Sequence, residues 1–316
     1  MNLGEVKALI SLLDDEDTFV TSSVENKILS YGKEIIPYLE DAWGESFPGG
    51  NSGGDAYLQQ RIENLIHKLQ FEDVRKELSD WAEAEIELDP LKNPLNYYSL
   101  LNATLLVAKY QYPDLDETKL KEQLNLIKKD VWLELNDELT ALEKVKILNH
   151  IFFDVYEFKG NTTNFHAPQN SYINNVLESK KGNPLLLSII YSVIAQQLKI
   201  PIYGVNLPEH FVLAYMADPE MVINPRAVMT LYEDENQKKI LFYINPFSKG
   251  AVFSRKEIDV FLKQLRLDPN VLFYEPSSNL LIIQRMIRNL INAYDKLGHV
   301  DKVEELKLLL NEVTKS

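Results

Sequence analysis

Apolar positions recur at helical spacing along most of the chain. Leu9, Ile10, Leu12 and Leu13 precede an acidic turn, Asp14 to Asp17, and Val20, Val24, Ile28 and Leu29 then resume the period. Gly32 predicts the stop of that helix, and Ile35, Ile36, Pro37, Tyr38 and Leu39 open the next. Acidic turn, helix, glycine and Ile-Pro-x-Leu in that order have the form of a HEAT-type unit, which buries its faces only by stacking on neighbours. Pro48 to Gly54 is glycine-rich, but no Gly-Lys-Ser/Thr follows, so it predicts a mobile loop and not a phosphate loop. From Tyr57 to about Phe158 the helical pattern continues through Ile62, Leu65, Ile66 and Leu69, then Leu100, Leu101, Leu105 and Leu106, then Leu142, Val145, Leu148 and Ile151. Pro90, Pro94 and Pro113 punctuate it.

Beyond Pro201 the period changes. Ile202 to Val205 and His210 to Met216 carry the β-branched and aromatic bias of strands, with His210, Val212 and Ala214 on one face and Phe211, Leu213 and Tyr215 on the other. Met221 to Asn224 and Ile240 to Ile244 continue the set, with the polar span Tyr232 to Lys239 between them as a turn. Short strands with tight connections predict an antiparallel sheet. Helices return after Asn279: Leu280 to Lys296, a stop at Gly298, then Val300 to Val313.

Composition narrows the function classes. The chain has 316 residues, of which 45% are hydrophobic and 25% charged, the proportions of an ordinary globular protein. Its 33 basic residues face 47 acidic ones, a net charge of −14. A surface of that sign repels phosphate backbones and anionic lipid heads, so neither nucleic acid nor membrane is expected as a partner. Pro184 to Ala195, the longest uncharged apolar run, is too short to span a bilayer, and Met1 to Leu13 lacks the form of a secretory signal. A cytoplasmic protein is therefore expected. There is no cysteine, which removes thiol nucleophiles and thiolate-bound zinc.

Three motifs stand in order along the second half. Asn170, Ser171, Tyr172, Ile173, Asn174 and Asn175 lead to Lys181, Gly182, Asn183 and Pro184 and the apolar stretch Leu185 to Leu198. Gly204 precedes Leu207, Pro208, Glu209, His210 and Phe211. Ile244, Asn245, Pro246 and Phe247 precede Lys249 and Gly250. Over roughly residues 95 to 310 these resemble the transglutaminase-like superfamily, in particular its SirB-type branch, in which tetratricopeptide-like helices follow the core. Leu290, Tyr294, Gly298 and Val303 have the spacing of such a repeat.

The resemblance implies an α+β fold with a papain-like core and a small antiparallel sheet. The expected domains are a helical, HEAT-like region over 1–90, the transglutaminase-like core over 91–265 and a tetratricopeptide-like tail over 266–316. In active relatives a cysteine at the start of a buried helix meets a histidine and an aspartate on adjacent strands: the imidazole takes the thiol proton and the carboxylate fixes the imidazole tautomer. Here the nucleophile position falls at about Pro184, the histidine position at His210, and the third position at Asn245, with Asn224 as a second candidate. Proline suits a first helical turn but offers no nucleophile.

Each candidate has a plainer alternative. His210 reads as a surviving site residue, against a histidine that only hydrogen-bonds at a strand start. Ser188 as a substitute nucleophile gives way to a helix serine bonded back to its own turn, and Ser171 reads as a turn or cap. Glu209 stands beside His210, yet neighbours on a strand point to opposite faces. His150 and Asp154, four apart on a helix, lack a third ligand, so no metal and no cofactor are expected. The leading expectation is a non-catalytic binding or scaffolding protein. Its remnant cleft near Tyr172, Asn174, Pro184, Ser188, Glu209, His210 and Asn245 would serve a peptide or a small ligand. Two alternatives stay open: a hydrolase of altered chemistry with His210 as general base, and an interaction module working through its helical flanks alone.

Overall fold

The computed structural model describes residues 3–15, 17–45, 56–87, 96–217 and 240–315. The loop expected at Pro48 to Gly54, the prolines at 90 and 94, and the strand and turn expected between Met221 and Lys239, Asn224 among them, lie outside these residues. The chain divides into two compact units, Met1–Glu77 and Leu78–Ser316.

The first unit is helical: α1 (Leu3–Ser11), α2 (Thr18–Leu29), α3 (Ile36–Glu45) and the first part of the long α4 (Ala56–Glu87). Asp17 begins α2 by accepting a hydrogen bond from the Phe19 N–H at 2.8 Å, which satisfies one of the amides that a helix start leaves open. The periodic apolar residues Val6, Val24, Ile28, Ile35, Leu39, Ile62 and Leu65 close into one core.

In the second unit, α5 (Tyr97–Gln111), α6 (Glu117–Glu134) and α7 (Ala141–Asn149) come first. α7 runs into a π-helical turn, His150–Val155. Then follow β1 (Lys159–Gly160), α8 (Ile173–Ser179), β2 (Lys181–Gly182) and α9 (Pro184–Gln197), with β1 and β2 paired in parallel. Every residue from Leu185 to Ala195 is buried, as a helix that is apolar all round requires. α5 and α6 pack on α9, and so do the strands β3 (Ile202–Asn206) and β4 (Phe211–Met216). α9 is thus the centre of the unit, and each of its buried leucines and isoleucines contributes about 1.5–3 kcal/mol.

The sheet continues through β5 (Ile240–Asn245) and β6 (Ala251–Phe253), all neighbours antiparallel in the order β3-β4-β5-β6. Gly204 pairs with Leu213, Asn206 with Phe211, and Leu213 with Ile244. Pleating puts Phe211, Leu213 and Tyr215 on one face and Val212 and Ala214 on the other. The second face carries its own core, in which Val205, Val212, Ala214 and Tyr243 meet Ile258 and Leu262 of α10 (Arg255–Gln264). α11 (Asn279–Leu297) and α12 (Val300–Glu312) close the unit as a packed pair. Gly298, at φ 76°, takes the left-handed conformation that ends α11. The architecture is α+β, helix-rich, around a small antiparallel sheet. No helix among the described residues is long and apolar enough to cross a membrane.

Candidate functional site

A cleft of about 340 Å³ opens where α9 begins. Asn170, buried among polar partners, shapes one wall: its Nδ2 donates to the carbonyls of Asn164 (2.7 Å) and Phe165 (3.1 Å), and its Oδ1 accepts from Asn161 Nδ2 at 2.8 Å. This holds in place the loop that brings Phe165 and His166 to the cleft. The floor is the start of α9. Asn183 caps that helix by accepting from the Leu186 N–H at 2.8 Å, while its Nδ2 donates to Ser171 Oγ at 2.7 Å. Pro184 fills the first helical position, where a missing N–H costs nothing.

The far wall comes from α11 and the β3–β4 turn. Arg285, Asn289, Asn292 and Lys296 stand four, three and four residues apart, a spacing that lines them along one side of α11, and all four line the cleft. Arg285 Nη1 donates to the Leu207 carbonyl at 2.7 Å and to Asn206 Oδ1. Its guanidinium lies 5.7 Å from the centre of the Phe211 ring. No carboxylate among the described residues pairs with it. Burial pushes its pKa down to about 10, so it stays cationic at neutral pH. Phe211 reaches this wall because Gly204 has no side chain: a Cβ there would come within 2.6 Å of the ring.

The turn into β4 separates two adjacent residues. The His210 N–H donates to the Pro208 carbonyl at 2.7 Å across Glu209, whose φ of 59° is the left-handed region, costing a non-glycine residue about 1–2 kcal/mol. Glu209 lines the cleft with no hydrogen-bond or ionic partner among the described residues. His210 belongs with Val212 and Ala214 on the α10 side, and its exposed imidazole packs on Phe261 with ring centres 4.7 Å apart.

Of the candidates read from the sequence, Pro184 and Glu209 line this cleft. His210 and Asn245 do not line the cleft. Asn245 Oδ1 caps its own turn, accepting from the N–H groups of Phe247 (3.1 Å) and Ser248 (3.3 Å). Ser188 is fully buried and its Oγ donates to the Pro184 carbonyl at 2.7 Å, one turn back, so it cannot meet a ligand. Tyr172 is only 1% exposed and belongs to the core, with its hydroxyl 3.2 Å from that of Tyr294 and its ring edge-on to Tyr112. Burial raises its phenol pKa far above the ordinary value. Asn174 does not line the cleft either, and its Oδ1 is buried without a hydrogen-bond partner among the described residues. His150 Nδ1 and Asp154 Oδ2 are 3.3 Å apart on the exposed surface, and no group of three potential metal ligands occurs among the described residues. Arg285, Asn289 and Asn292 escaped the sequence reading. The only signal was a polar stripe on an otherwise apolar helix, which is also how any solvated helix face reads.

The cap at the head of α9 gives a direct test of this construction. Asn183→Ala removes an N-cap and leaves the buried Ser171 hydroxyl without its donor, an expected loss of about 2 kcal/mol in urea unfolding. Asn183→Ser should recover part of it, and a midpoint unchanged in Asn183→Ala would refute the assigned role.

Comparison with known proteins agrees with this core. The profile of the transglutaminase-like superfamily matches residues 118–288, more than half of the chain. A UPF0162 protein of Xylella fastidiosa (strain 9a5c) is 26% identical over 225 residues, covering 67% of this chain and 73% of the relative. Human F-box only protein 21 is 25% identical over 271 residues, 81% of this chain but only 38% of that protein. A UPF0162 protein of Pasteurella multocida is 30% identical over 111 residues, 35% of this chain and 42% of its own. No solved structure matches the chain. With the profile running from α6 into α11, across the buried helix and the sheet, the chain belongs to the transglutaminase-like superfamily.

Proposed function

We propose that this protein is a non-catalytic member of its superfamily, a binding module whose cleft at the start of α9 receives a peptide or small ligand. The observation that carries the reading is the head of α9 itself. Pro184 begins this helix at about the position where the resemblance puts the nucleophile of relatives with thiol chemistry, and the chain has no cysteine to supply one from elsewhere. Neither nearby serine is paired with a base among the described residues: Ser171 Oγ accepts from Asn183 Nδ2, and Ser188 Oγ donates to the Pro184 carbonyl. The imidazole that would serve as base packs on Phe261 instead. A cleft that is open and lined by both polar and apolar groups is suited to binding. Within the superfamily we place the chain in the SirB-type branch, with α11 and α12 as its tetratricopeptide-like tail. The F-box name of one group of relatives adds support for a protein or peptide as the partner.

The test is turnover. Purified protein incubated with a panel of p-nitrophenyl esters and peptide amides, with and without an amine acceptor, should release product no faster than buffer. His210→Ala should change neither this result nor, beyond about 1 kcal/mol, the stability, since its side chain is exposed. Hydrolysis or acyl transfer that His210→Ala or Ser171→Ala abolishes would defeat the reading.

A further inference from the structure

Resting on that reading, the structure of the cleft narrows its ligand. Arg285 is half-buried and uses Nη1 for Leu207 and Asn206, which leaves the Nε and Nη2 donors without a partner among the described residues. In a chain with 47 acidic residues, none of those described pairs with this guanidinium. A partly desolvated cation without a counter-charge, on the wall of a cavity, calls for an anion. One and two turns further along α11, the carboxamides of Asn289 and Asn292 also line the cleft and make no hydrogen bond with another described residue. A carboxamide offers both a donor and an acceptor, the complement of a main-chain amide.

We infer that the cleft receives the C-terminal end of a peptide, its free carboxylate on Arg285 and its last amide groups along Asn289 and Asn292. The dimensions agree. Seven residues of α helix span about 10 Å, the length of about three residues of extended chain. With Arg285 the cleft also carries Lys296, Glu209 and Asp295, two charges of each sign that cancel, so a single carboxylate is accommodated more readily than a dianion such as a phosphate monoester. Phe165, exposed at the cleft, gives apolar surface for a side chain of the bound peptide, over the buried Leu185 and Phe211.

Pools of N-acetylated tripeptides, one pool with a free C-terminal carboxylate and one amidated, distinguish the outcomes by ligand-observed NMR at millimolar concentration. The free-acid pool should bind and the amidated pool should bind roughly ten- to a hundredfold more weakly. Arg285→Met, which keeps the alkyl stem, should lose the preference for the acid, and Arg285→Lys should retain part of it. Asn292 is exposed, so Asn292→Ala should fold normally and weaken acid binding by about threefold or more. If Arg285→Met does not fold, the acid-against-amide comparison in the wild type and the Asn292→Ala variant decide the matter. Equal binding of the two pools, unchanged binding by folded Arg285→Met, or acetate and free alanine binding as well as the acid pool would each overturn the inference. Cleavage of the peptides, visible as new resonances in the same samples, would instead defeat the non-catalytic reading and leave carboxylate recognition standing.

Discussion

Gly250→Ala should lower the stability of the second unit by about 3–5 kcal/mol, a loss of about 10 °C in thermal unfolding. Gly250 lies at φ 71°, where a side chain is strained by about 1–2 kcal/mol, and a Cβ there would land on the Asn149 carboxamide. That carboxamide cannot move aside cheaply. Its Nδ2 donates to the Gly250 carbonyl at 2.9 Å, and its Oδ1 accepts from the hydroxyl of Tyr191, a fully buried residue of α9, also at 2.9 Å. Displacing Asn149 would strand a buried phenol, so strain and a lost hydrogen bond add to the overlap. Gly298→Ala is the control: φ is similar at 76°, but nothing lies within 4 Å of the added methyl, and only the conformational cost of about 1–2 kcal/mol should appear. Equal losses at the two positions, measured by near-UV circular dichroism melts, would show that the Asn149 contact does not matter.

Phe152→Ala should cost about 3–5 kcal/mol, read as a fall in the urea midpoint. Phe152 is 2% exposed. Its ring stacks on Phe158 with centres 4.2 Å apart, and meets Phe153 at 5.0 Å and Tyr191 at 5.4 Å edge-on. Truncation removes the middle of an aromatic cluster that three neighbours cannot collapse to fill. Phe152→Leu keeps most of the volume and should cost less than half as much. A loss below about 1 kcal/mol in Phe152→Ala would mean that the site closes on itself and that the cluster is not what fixes α9 against the π-helical turn. Together the two substitutions probe the same helix from two sides, since Asn149 and Phe152 both reach Tyr191.

Local order was legible along the chain wherever a pattern was sustained. The helix read at Leu280 to Lys296 with its stop at Gly298 is observed as Asn279–Leu297 with Gly298 in the left-handed region, because helical period and C-terminal glycine are both local constraints. The strand pattern of His210 to Met216 is realised over Phe211–Met216, and that of Ile240 to Ile244 over Ile240–Asn245. The π-helical turn at His150–Val155 and the short parallel pair β1–β2 were not legible. Two-residue strands carry no period, and a π turn differs from an α turn by one hydrogen-bond register that side-chain spacing does not encode.

The site divides in the same way. Residue type alone established that no thiol is present and that a proline begins the apolar helix, whereas Glu209 and His210 part at a left-handed turn that precedes β4 and that strand alternation does not describe. Which of the two faces the cleft follows from packing. α10 covers the face that carries Val212 and Ala214, which takes His210 to Phe261 and leaves Glu209 and Phe211 beside Pro184. Packing likewise brought the Arg285 stripe of α11 to Asn183 and Ser171, more than a hundred residues away in sequence. Residue type and spacing fix what a segment can form and which chemistry it can offer. Which segments meet depends on how whole faces pack, a sum over many weak contacts that no single motif contains.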